Sequence, residues 1–560
     1  LVFLVLSCVA APCSAELTIN LAYVNPQSPQ YTRYAAWVDR AVAGHPDDGF
    51  SATDAAYMYK LTGQPQYAQL AVQMVDEQVS DAESEIANGQ APDVSHDSYL
   101  HVGDMIGDLA LTYDWCAAFV TSSQRTRWAT YADQTIYNVW NPNQAEWGGH
   151  SADWSGWAIN DPANNYFYSF MQATMYWALA NDSQPWMDFV NTVKIPLLTS
   201  YFAAIDGGSQ EGTGYGLSHK NLFDLYRVWR DSTGVDLGTQ NAHLTDSIAW
   251  WIHATVPTLD RTAGVGDQAR VSEPMIYDYH RTLMLEARNE TLDADAKSNA
   301  SWWLDNISVQ QMTSGFNYRF DMLPAGTGGS PPSSLTHFAE ATGHLWSRTS
   351  WDRTAMWMEF DAGPYLQSHA HQDQGSFTLY QNTWLSVTEN IWSHSGIQQG
   401  TNVANILRFE QNGNVIGQHP NTTSTMTYTA GDGGAVHAVG NLTPAYGGNS
   451  AVQSWQRTID FANNALTVQD DYATGSGTNA IFQVNTPAQP IISGNTAVAG
   501  NLTITVLSPA NATLHAVDWR TVDGDFNSGW RLDISGGSGQ YIVELAGVQA
   551  GDGVFDGDFD

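Results

Sequence analysis

The sequence predicts an α+β multidomain chain, an N-terminal (α/α) toroid of helical hairpins followed by an antiparallel β-sandwich. Three observations predict it. Apolar residues recur at helical spacing from about residue 31 to 315, a Pro/Gly/Ser cluster follows at Leu323–Ser334, and short alternating segments rich in Trp, Thr and Val come after it. With 560 residues, 43% of them hydrophobic, the chain is long enough to build two or three cored domains.

In the first part, Tyr34, Trp37, Val38 and Ala41 fall on one helical face. Leu70, Val72, Met74 and Val75 do so after Pro65, and Phe167, Phe170, Met171, Thr174 and Trp177 do so further on. Successive helices with short connections pack as antiparallel pairs. No fixed-period repeat is visible, which favours a closed toroid over a repeat solenoid. The toroid is expected over residues 16–323. The alternating segments 355–360, 376–380, 384–388, 466–471, 502–507 and 541–545 read as strands between Gly, Asn and Asp turns. They place a sandwich at 335–480 and its continuation at 481–550. Residues 551–560 read as an acidic tail or the start of a linker, with carboxylates alternating as in calcium loops but without the other ligands.

Residues 1–15 form a short apolar run ending in Cys13-Ser14-Ala15, the pattern of a signal peptide with its cleavage site. A lipoprotein reading through Cys8 or Cys13 fits less well, because Leu6 and Pro12 suit that processing poorly. The mature protein is therefore expected outside the cytoplasm, extracellular or periplasmic. Cys116 is then the only cysteine, and no intrachain disulfide is expected. No later stretch reaches the 18 or more apolar residues of a membrane span. Fifty-seven acidic against 21 basic side chains give a net charge of −36, which argues against nucleic acid as a partner.

Three segments could carry chemistry. In Ser368-His369-Ala370-His371-Gln372-Asp373, an extended backbone would turn His369, His371 and Asp373 to one face, suiting a metal site, a proton-transfer site or a solvated His-rich turn. Asp206 to Gly216 is a glycine-rich loop in which Gln210, Glu211 and Tyr215 are either presented to a ligand or part of a plain connector. Asn164 and Asn165 precede an apolar helix and read either as its N-cap or as amides for a substrate carboxylate. Trp140, Trp147, Trp154 and Trp157 crowd the stretch before them. One of these, Trp157 above all, is a candidate platform for a sugar ring. An anionic polymer would also need arginines to gather, drawn from Arg261, Arg270, Arg348, Arg353 and Arg408.

SHAHQDQGSFTLY, the following LSVTEN, the EGTGY loop and WQRTIDFANNALTVQDDY together resemble the heparinase II/III-like and oligoalginate-lyase-like polysaccharide lyases. The resemblance covers nearly the whole mature chain. It implies a polysaccharide lyase that cleaves a uronate-containing acidic polysaccharide by β-elimination. It assigns Tyr215 as general acid and base, Asn164 as neutraliser of the uronate carboxylate, Asn165 at a position where relatives often have His, and His369 as the sandwich-side histidine. Gln210, Glu211 and Trp157 would bind substrate. A structural zinc or other divalent metal would be held by His371 and Glu389; because Ala404-Asn405 stands where relatives read His-Asn, either His394 or Asn405 replaces the third ligand or the site holds no metal. No organic cofactor is implied. The scarcity of Lys and Arg favours an unsulfated, alginate-like uronan. The alternatives are a glycoside hydrolase with Asp206 and Glu211 as its carboxylate pair, and a non-catalytic carbohydrate-binding protein.

Overall fold

The computed structural model describes residues 16–267 and 271–547. The expected signal peptide, the acidic tail and Arg270 lie outside them. The architecture is a multidomain α+β fold, with helices first and antiparallel sheets after. The chain packs as two units. One holds residues up to Tyr201 with Asn221–Gln240 and Thr313–Pro324; the other holds Phe202–Lys220, Asn241–Met312 and the chain from Ala325 onward. Among the described residues no helix is long and apolar enough to cross a membrane.

The first unit is helical. Its main elements are Pro29–Val42, Ala52–Thr62, Pro65–Ala87, Val102–Trp115, Ser122–Trp140 and Asn165–Ala180. Local chemistry fixes their starts: Ser28 accepts from the Tyr31 N–H ahead of Pro29, and Thr121 forms a capping box with Gln124. The faces read from spacing are the buried ones, with Tyr34, Trp37, Val38 and Ala41 in the core alongside Phe167, Phe170, Met171 and Trp177. Gly103 lets two helices meet closely. Its N–H donates to Ser169 Oγ at 2.7 Å, and a Cβ there would stand 2.8 Å from the Ser169 carbonyl oxygen.

The second unit carries helices His243–Ala254, Asp278–Glu290 and Ala294–Asn306, then the sheets. One sheet is a meander of Thr336–Ala339, His344–Arg348, Trp357–Asp361, Phe377–Gln381 and Thr383–Ser386. A second five-stranded sheet and an eight-stranded sheet combine earlier and later strands. Thr478–Thr486 pairs with Leu407–Gln411, and Gln540–Ala546 pairs with Ala465–Thr474. The strands beyond residue 480 thus extend the same sheets, and Met358, Phe360, Leu379, Phe409, Trp455, Val468, Ile504 and Leu545 share one core.

A buried ion pair ties this core to the histidine segment. Arg457 holds Asp470 through Nη2 at 2.7 Å, and its Nη1 donates to the carbonyls of Gly375 and Asn405. Both partners are fully removed from water, so the pairing must satisfy all of their hydrogen-bonding capacity to be tolerated.

Candidate active site

The segment around His369 and His371 is not an extended strand. It runs as turns and irregular backbone, and the strand opens only at Phe377. Gly375 bends the chain at φ +94°, where a Cβ would strike Trp455 at 2.5 Å. The expected common face is therefore replaced by a different convergence. His369 and His371 both turn to Asp267, while Asp373 turns away to share a hydrogen bond with Asp361.

Asp267 lies at the end of Ala263–Val265–Gly266, a segment wedged between the loop that carries Tyr215 and the histidine segment. Thr213 N–H donates to the Val265 carbonyl at 3.1 Å, and Thr213 Oγ1 donates to Ala263 O at 2.7 Å. On the other side the Asp267 N–H donates to the His369 carbonyl at 3.0 Å. Gly266, at φ +63°, is squeezed between them: a Cβ would lie 2.7 Å from His369 O and 2.8 Å from Glu211 O. Asn390, fully buried, donates its amide to Gly266 O.

The carboxylate of Asp267 is buried. His369 Nδ1 approaches one oxygen at 2.9 Å and His371 Nε2 approaches the other at 2.8 Å, while Gln399 Nε2 spans both at 3.2 and 3.3 Å. Burial acts to raise its pKa, but the hydrogen bonds from His369, His371 and Gln399 outweigh it and hold the carboxyl well below the usual carboxylate range. Asp267 is therefore ionised. The ring of Tyr215, at the end of the short Gly212–Tyr215 helix, stacks on His369 with centroids 3.5 Å apart and planes 6° apart. Phenol, imidazole and carboxylate thus stand in sequence, each half-buried or buried. This arrangement can take and give a proton beside a bound ligand.

The other sequence-predicted residues have varied fates. Glu211 is fully buried, at 0% exposure, so the loop does not present it as expected; Gly212 follows at φ +80° with no room for a Cβ beside Val265 O. Gln210 donates to the Ala341 carbonyl at 3.0 Å. Asn164 and Asn165 lie in the first unit. Asn164 is the N-cap of Asn165–Ala180, accepting from Tyr166 N–H at 3.1 Å, and the buried amide oxygen of Asn165 has no partner. Of the four crowded tryptophans, Trp140, Trp147 and Trp154 are core, and only Trp157 is exposed, at 46%.

The metal set does not assemble. His371 spends Nε2 on Asp267, and Glu389 accepts from Ser272 Oγ at 2.7 Å, its pKa pushed up to about 8 by burial. His394 is exposed and pairs with Asp525 at 3.0 Å, and Asn405 uses its amide on the carbonyls of Phe377 and Val387. Among the described residues no group of three His, Cys, Asp or Glu side chains is arranged to hold a metal ion. The residues present therefore do not fit the expected metal.

Among the described residues the arginines do not gather either. Arg348 caps the carbonyls of Ile252, His253 and Thr255, Arg353 those of Thr258 and Asn306, and Arg408 pairs with Glu410 and Asp533. Arg261 stands 3.7 Å from Asp260. The carboxylates of the hydrolase alternative are also engaged: Asp206 accepts from the N–H groups of Glu340 at 2.6 Å and Ala341 at 3.0 Å, and Glu211 is inaccessible.

The fold is that of polysaccharide lyases of the heparinase type. Heparinase III matches with a TM-score of 0.62 at 13% identity, over 89% of this chain and 76% of its own. A heparan sulfate lyase from Pedobacter heparinus matches at 0.55 and 14%, over 94% and 84%, and a chondroitin AC lyase variant from Streptomyces coelicolor A3 at 0.55 and 10%, over 93% and 80%. No family model and no curated protein sequence matches the chain. At these identities the likeness establishes the architecture, and the chemistry must be argued from the residues.

Proposed function

We propose that the chain is an exported polysaccharide lyase that cleaves a uronate-containing acidic polysaccharide by β-elimination, with an unsulfated, alginate-like uronan as its preferred polymer. The observation that carries this reading is the Tyr215 ring stacked on His369, itself held by the ionised Asp267. Elimination needs a group that removes the C5 proton of the uronate and a group that protonates O4 as the C4–O4 bond breaks and the C4–C5 double bond forms. Tyr215 serves both steps, and His369 assists at the reacting sugar. The developing charge on the uronate carboxylate must be met by hydrogen-bond donors, the role the resemblance gives to Asn164. Trp157, exposed, and Gln210 are the substrate-binding candidates that remain accessible or half-buried.

No step in this reading passes through a metal. The preference for an unsulfated polymer is supported by the net charge of −36 and by arginines that are spent on carbonyls and carboxylates elsewhere. The leader-like start supports export. The test is incubation of the purified protein with alginate, glucuronan, hyaluronan, chondroitin, heparan and pectin while following the ultraviolet absorbance of unsaturated uronate. A rise with alginate or glucuronan is expected. New reducing ends without that absorbance would overturn the reading in favour of hydrolysis, and neither signal would favour a binding protein.

A further inference from the structure

Asp267 has no part in the resemblance, yet every element of the pair passes through it. Its two oxygens take one nitrogen from each imidazole, His369 Nδ1 at 2.9 Å and His371 Nε2 at 2.8 Å. With each oxygen of one carboxylate facing one ring nitrogen, the oxygens accept and the rings donate, which puts the proton of His369 on Nδ1 and that of His371 on Nε2. In the neutral ring of His369 this leaves Nε2 bare, at the end of the imidazole away from Asp267. The backbone locks the arrangement. The Asp267 N–H bonds His369 O at 3.0 Å, and the same short segment accepts from Thr213, two residues before Tyr215. His371 is buried; among the described residues its Nδ1 has no hydrogen-bond partner, and its one side-chain hydrogen bond is to this carboxylate.

We propose that Asp267 is the positioning residue of this site, an assignment that rests on the lyase reading above. One oxygen fixes the tautomer and ring plane of His369 against Tyr215. The other anchors His371, so that a carboxylate does the fastening for which a metal was expected. The Ala263–Val265–Gly266 segment spaces Tyr215 from His369, so that moving it would misplace both groups together.

The test combines kinetics with a tautomer measurement. Asp267→Asn keeps the shape but cannot accept from both rings in the same way, and it is expected to lower kcat by about 10²- to 10⁴-fold, with KM within about threefold. In a His369→Ala background the same substitution is expected to cost little more, because the two residues act as a unit. Nitrogen NMR of histidine-labelled protein, with His369 assigned by its loss in the His369→Ala variant, is expected to show the Nδ1–H form in the unsubstituted chain. Equal losses from Asp267→Asn in both backgrounds, or the Nε2–H form of His369 in the unsubstituted chain, would overturn the proposal. Should Asp267→Asn fail to fold, the tautomer of the unsubstituted protein still decides. If no polymer is cleaved, the lyase reading fails while the NMR result separately decides what Asp267 fixes.

Discussion

Replacing Tyr215 with Phe isolates the phenol oxygen from everything else the ring does. The ring stacks on His369 at 3.5 Å, and among the described residues Tyr215 bonds Ser218 through its backbone carbonyl while its hydroxyl has no protein partner. Phe keeps the stack, worth about 0.5–1.5 kcal/mol, and leaves no buried group orphaned. The stability change is therefore expected to stay within about 0.5 kcal/mol. The catalytic loss is of another size. Removing a general acid or base costs about 10²- to 10⁴-fold, or about 2.7–5.4 kcal/mol in the barrier, and a residue that serves both proton transfers should fall near the upper end. The assay is initial rate by unsaturated-uronate absorbance, with a thermal melt of the same sample. Activity within threefold of the unsubstituted enzyme, at an unchanged melting temperature, would remove Tyr215 from the mechanism. A lost activity accompanied by a large fall in melting temperature would mean that the hydroxyl is structural.

Asn164→Ser keeps a side-chain oxygen for the N-cap of Asn165–Ala180 but removes the amide donors. It is expected to hold the melting temperature within a few degrees while cutting turnover by at least about 10²-fold, and retained turnover would reduce Asn164 to a cap. Arg457→Met leaves Asp470 buried and uncompensated, with the Gly375 and Asn405 carbonyls unbonded, and should cost about 3–5 kcal/mol in denaturant unfolding. Glu359 is buried, and burial pushes its pKa from 4.5 up to about 7 despite the hydrogen bond from Thr378. A carboxyl raised in the folded state is a penalty that is absent below pH 4.5, grows as pH rises to about 7 and then stays constant; its size is about 3 kcal/mol. Glu359→Gln should therefore gain stability over the unsubstituted protein at pH 8 and not at pH 4, and an equal difference at both would refute the shift.

The fold was legible where burial follows a simple period. Trp37, Val38, Phe170 and Trp177 sit on helices whose spacing alone names their buried face, and Val468, Ile504 and Val543 alternate inward along strands. The site was legible only in part. Tyr215 and His369 stand in motifs, but the extended geometry expected of His369, His371 and Asp373 fails because Gly375 turns the chain before the strand begins. Asp267 left no trace in the sequence: it lies 102 and 104 residues from the histidines it holds, and a lone Asp after Gly is ordinary in a loop. The same limit applies to the tryptophans. Four in one stretch suggested a platform, yet Trp140 finds Phe167, Phe170 and Phe189, and Trp154 finds Tyr99 and Phe170, partners that only tertiary packing supplies.

The measurement that bears most directly on β-elimination is cleavage in water enriched in heavy oxygen, with the fragments read by mass spectrometry. Elimination forms the C4–C5 double bond without adding solvent oxygen, so the account predicts unsaturated fragments that carry no heavy label from the cleavage. Saturated fragments whose new reducing ends carry one solvent oxygen for each bond cleaved would contradict it.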